Sequence, residues 1–142
     1  VRNRVKVELF ELVSVIEKYH KVYGFYPQDN QLATPDSSRP PLYYELTGAA
    51  TDLSVTQYFG VGGFVNSGSE KKNFHSNLNP NKFVAIPGST PPAYVMAVPY
   101  KGPSGELNTW HYISSKPQNN TETYDLWAEV LIAGQTNIIS NW

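Results

Sequence analysis

Cysteine is absent from the 142 residues of the chain. That excludes disulfides, thiolate nucleophiles and cysteine-based zinc or iron–sulfur centres, without identifying a compartment. Charge is scarce too: 16% of residues are Asp, Glu, Lys or Arg, and the net charge is -1. Such a balance gives no electrostatic basis for binding nucleic acid or an anionic membrane surface. Hydrophobic content is 40%, so the weakly charged chain is not composed like a disordered one. No run of 18 apolar residues occurs, and no segment reads as a membrane-spanning helix. The usual catalytic signatures are missing as well. His20, His75 and His111 stand at no metal-ligand spacing, and H-E-x-x-H is absent. No G-x-S-x-G serine elbow is found. Gly60-Val61-Gly62-Gly63 lacks the Lys-Ser/Thr of a phosphate loop and reads as a bend.

What is present begins with residues 1–23, which contain neither Gly nor Pro. Val5, Leu9, Leu12, Ile16 and Tyr23 recur on one helical stripe, with Val13, Tyr19 and His20 at its edges. Val7, Phe10, Val15 and Val22 lie off that stripe, where a plain amphipathic helix would be polar. They are expected either to meet neighbouring molecules or to be covered by loops of the same chain. Gly24 is the natural C-terminal stop, and Pro27 blocks continuation. A continuous helix here would be roughly 35 Å long. Burying its stripe could contribute on the order of 10 kcal/mol as an upper figure, so the rest of the chain must cover it.

The remainder reads as loops, short helices and late strands. Residues 28–39 form a polar loop. Leu42–Gly48, with Pro before it and Gly at its end, reads as a short helix. Residues 56–59 fit a short strand or a helical turn equally. Ser69–Leu78 reads as a second short helix, with Ser69 as its cap. Strands are expected over 93–100, 109–114 and 124–132, with a turn over 101–105 and a break at Gly134. Short connections imply an antiparallel meander. The expected fold class is α+β: one domain, 1–142, with a helix over 1–23, a loop-rich region over 24–92, and an antiparallel sheet with a C-terminal segment over 93–142.

Two groups of side chains suggest other chemistry. Asp36, Glu45, Asp52, Glu106, Glu122, Asp125 and Glu129 are scattered, and a glycosidase would need two of them to meet. They read as solvated loop carboxylates. Trp110, Tyr112, Trp127 and Trp142 could form a sugar-stacking platform, although a small core also needs large side chains. That opens an alternative class, a carbohydrate- or surface-ligand-binding domain.

Two stretches carry a family resemblance. Residues 16–27, closing on Tyr23-Gly24-Phe25-Tyr26-Pro27, resemble the segment of type II secretion pseudopilins where the long helix ends in a Gly-x-Tyr-Pro turn. Tyr124-Asp125-Leu126-Trp127 and the closing Asn141-Trp142 resemble the last strand and terminal Asn-Trp of major pseudopilins. The match brackets both ends and leaves residues 28–92 largely uncovered. It implies a prepilin-type structural subunit without an active site, packed with other pilin-like subunits in a helical filament. An apolar helix preceding this sequence would hold it in the bacterial inner membrane, with the soluble domain in the periplasm or at the cell surface. The start at Val1, with neither Met nor a secretory leader, fits the expectation of a fragment or mature form. Major pseudopilins place calcium in an Asp-rich loop after Tyr-Asp-Leu-Trp. Here residues 128–140 contain no Asp, so calcium is disfavoured and no cofactor is expected.

Overall fold

The computed structural model describes residues 1–49, 52–76, 78–103 and 108–142. Its fold is α+β. Helix α1 runs over Arg2–Tyr23. It stops where Gly24 turns left-handed (φ 81°) and donates its N–H to the His20 carbonyl, a conformation that glycine adopts without a Cβ penalty. Helices α2 (Leu42–Thr47) and α3 (Leu53–Thr56) are short. Among the described residues five strands follow: β1 (Phe83–Ala85), β2 (Tyr94–Met96), β3 (His111–Ile113), β4 (Asp125–Ile132) and β5 (Gln135–Ser140).

Strands β3, β4 and β5 form an antiparallel sheet in that order. Ala133 and Gly134 both have positive φ, 52° and 79°, which matches the right-handed twist of the strands they join. The closing segment, expected only as a tail after the Gly134 break, is therefore the edge strand β5. Strand β2 departs from the expected meander. It pairs antiparallel with β1, a strand not anticipated, and among the described residues it meets the larger sheet through an Ala97–Thr109 bridge.

Helix α1 lies across β4 and β5. Val5, Leu9, Leu12, Val15, Ile16 and Tyr19 are buried with Tyr112, Leu126, Ala128, Val130 and Ile139 in one core, and Tyr23 packs half-buried at its margin. The buried face is thus wider than the expected stripe. Val15, placed among outward-facing positions, is only 5% exposed. The segment through Phe74 and Ser76 comes over it, and the three residues line one small cleft. A second apolar cluster joins Tyr44, Val55, Phe59, Phe64, Ile86 and Val95, and Tyr43 packs against both clusters.

The middle of the chain contains two further departures. Residues 56–59 are helical: Asp52 caps α3 by accepting the Ser54 amide, and a 3₁₀ turn over Gln57–Phe59 follows. Ser69–Leu78 is not a helix. Among its described residues the regular element is a 3₁₀ turn over Gly68–Glu70. The Asn66 amide takes both backbone groups of Lys72, and the Phe74 N–H goes to the Leu46 carbonyl. Those groups are then unavailable for helical bonds. Asn77 of that stretch, Ser104 and Gly105 of the expected turn over 101–105, and the carboxylate Glu106 lie outside the described residues.

Candidate functional site

The two motifs at opposite ends of the chain meet at the lower end of α1. His20 stacks on Tyr26 at 4.2 Å, and Tyr26 in turn lies 4.9 Å from Tyr124. The Pro27 carbonyl accepts from the Tyr112 hydroxyl and from Ser114 Oγ, each at 2.8 Å. Deep burial pushes the Tyr112 hydroxyl well above its ordinary pKa, which keeps it a donor. Two residues on, Asp29 Oδ2 accepts the Ser114 and Ser115 amides. The turn after α1 is thereby fastened to the end of β3.

Asp125 and Asn141 close the other motif. The Asp125 carboxylate accepts the amides of Gln118, Asn119 and Asn120 at 2.7–2.9 Å. Burial alone would raise its pKa, but the donated amides outweigh that and hold it below the usual carboxylate value. Asn141 Oδ1 accepts the Leu126 amide, and the Asn141 amide returns to the Leu126 carbonyl. Leu126 is a core residue, and Trp142 packs edge-on to Trp127 at 5.6 Å. The side chains of Tyr26, Tyr124, Asp125, Trp127, Asn141 and Trp142 thus each have an intramolecular partner. Among the described residues, no three His, Asp or Glu side chains converge where they could hold a metal ion.

The outer face of α1 presents different chemistry. Val7 is 61% exposed and Phe10 is 66% exposed. One helical turn separates them, so they form a small apolar patch opposite the sheet-facing stripe. Val22 is also exposed, nearer the end of the helix.

The remaining candidates divide by burial. Trp110 and Tyr112 belong to the core, which removes them from any stacking platform; Trp127 is half-buried and Trp142 is exposed. Glu45 and Asp125, read as solvated, are 0% and 1% exposed. Glu45 accepts from Gln28 Nε2 and from the Val65 and Asn66 amides. His75 Nε2 lies 3.3 Å from Glu11, whose same oxygen takes Lys82 Nζ at 3.0 Å. His111 sits between Ser37 Oγ, 2.9 Å from Nδ1, and Glu129 Oε2, 3.2 Å from Nε2. Burial lowers the pKa of both imidazoles, overriding the carboxylates beside them. Ser37 carried no signal in the sequence, because 74 positions separate it from His111.

Comparison with protein-family models, with curated proteins and with solved structures finds no match to this chain.

Proposed function

We propose that the chain is a structural subunit of a pseudopilus or type IV pilus-like filament, acting in protein secretion by assembly. One observation supports this beyond the resemblance of its two motifs. Helix α1 has an apolar face packed on its own sheet and a separate exposed patch, Val7 and Phe10, directed away from it. A helix serving only its own fold gains nothing from an apolar residue that is two-thirds exposed, whereas a helix shared with neighbours does. In this reading the patch meets other pilin-like subunits. An apolar segment ahead of Val1 anchors each subunit in the bacterial inner membrane. The soluble domain then lies in the periplasm or at the cell surface.

The test is Phe10→Glu in the full-length protein. Because the side chain is exposed, folding stability should change by less than about 0.5 kcal/mol, while filament assembly or secretion falls sharply. Unchanged assembly in a stably folded variant would remove the role of this face. Of the four residues of the sugar-stacking platform in the alternative, a carbohydrate- or surface-ligand-binding domain, Trp127 and Trp142 remain accessible.

A further inference from the structure

The geometry points to Ser37 as a reactive nucleophile, activated by His111 and Glu129, that is acylated by small carboxylic esters. The three side chains form one relay: Ser37 Oγ to His111 Nδ1 at 2.9 Å, and His111 Nε2 to Glu129 Oε2 at 3.2 Å. With the carboxylate facing Nε2, the tautomer that satisfies both contacts carries its proton on Nε2. Nδ1 is then left to accept from the hydroxyl. That is the arrangement a general base needs toward an attacking serine.

The surroundings hold this relay in place. Trp127 stacks on the imidazole at 4.8 Å and 15°. The Ser37 carbonyl accepts the Tyr112 amide, and the Ser38 carbonyl accepts Thr109 Oγ1. Residues 36–38 are therefore strapped along the edge of β3, with Ser37 half-buried rather than enclosed. The charged groups around the imidazole are Glu129 from β4, and Asp36 with its partner Arg39 from the strap. Burial outweighs both carboxylates and favours the neutral ring, the form that can take a proton. The Asp36 and Ser38 amides go to side-chain acceptors, but the Ser37 amide has no acceptor among the described residues. It is the donor available to a developing oxyanion.

The step balances without a further reagent. Ser37 Oγ bonds to the acyl carbon as its proton passes to His111 Nδ1. The ester C–O bond then breaks, and the leaving alcohol takes that proton. Water, deprotonated by the same nitrogen, releases the acid and restores the hydroxyl.

A pure fastening role would use the same hydrogen bonds, and reactivity separates the two. The purified chain is treated with p-nitrophenyl acetate and with a fluorophosphonate probe between pH 5 and 9, then mapped by peptide mass. The expected adduct is on Ser37 ahead of every other serine, with labelling at least ~10²-fold faster than in Ser37→Ala. His111→Gln should fall to the Ser37→Ala level. Glu129→Gln should fall about tenfold and shift the pH profile. The wild-type map stands even where a variant fails to fold, because the other serines of the molecule are its controls. Adducts spread over several serines, or equal labelling in folded His111→Gln, would overturn the assignment.

Discussion

Replacing Glu45 by Ala should be among the most damaging single changes in this protein. The carboxylate is 0% exposed and accepts Gln28 Nε2 at 2.8 Å, the Asn66 amide at 2.9 Å and the Val65 amide at 3.2 Å. Its own backbone carbonyl also takes the Asn66 side chain. One residue of α2 thus holds the turn after α1 and the loop around residue 65 together. In Glu45→Ala the Asn66 amide, in a residue only 1% exposed, is left without an acceptor, at a cost of roughly 2–3 kcal/mol. Gln28 and Val65 can reach water, so each should lose less than about 1 kcal/mol. The sum is about 3–4 kcal/mol, or roughly a 10 °C fall in Tm for a domain of this size. Glu45→Gln keeps the volume and one acceptor but turns an NH₂ toward an amide, and should cost about half as much. Urea melts of the three proteins measure the ladder, and hydrogen exchange should show early loss of protection in the Val65–Asn66 segment. A loss under about 1 kcal/mol for Glu45→Ala, or a Gln variant as unstable as the Ala variant, would refute the accounting.

Two pH-linked predictions follow from carboxylates with opposite shifts. Glu8 is 7% exposed, and its Oε1 has no hydrogen bond; Arg4, at 3.9 Å, is too distant to supply one. Burial raises its pKa despite Lys82 and Arg4. The folded state therefore binds the proton more tightly than the unfolded state, and ionised Glu8 costs stability above its folded pKa. Glu8→Gln should stabilise the protein by on the order of 1 kcal/mol at pH 7, and melts should show the gain vanishing as pH falls toward 4.5, the unfolded value. Asp125 has the reverse sign. Its folded pKa lies below the unfolded 3.8, so its contribution is present above that value and is lost as pH falls through the folded pKa. Asp125→Asn should cost about 1–3 kcal/mol at pH 7. Acid titration of stability should find the two proteins converging below pH 3.8; parallel curves would contradict the capping role.

The parts of the fold legible in the sequence were those with local causes. Helix α1 carries its period and its stop signal within 24 consecutive residues, and its end at Gly24 follows from backbone freedom alone. Strand β4 likewise has a sustained run of β-forming side chains. Where tertiary partners decide, local reading failed. Ser69–Leu78 has a helical signature, but Asn66 and Leu46 claim its backbone. Strand β1 is three residues long and exists because β2 lies beside it. Val15 is off the stripe by period and in the core by packing, since the chain returns over it sixty residues later. The same division governs the site. Tyr26-Pro27 and Tyr124–Trp127 were visible as motifs, but their meeting through the Tyr26–Tyr124 ring contact was not. Ser37, His111 and Glu129 come from a loop and two strands, with no spacing rule to connect them. Any chemistry this fold supports has to come from side chains that only the completed sheet brings together.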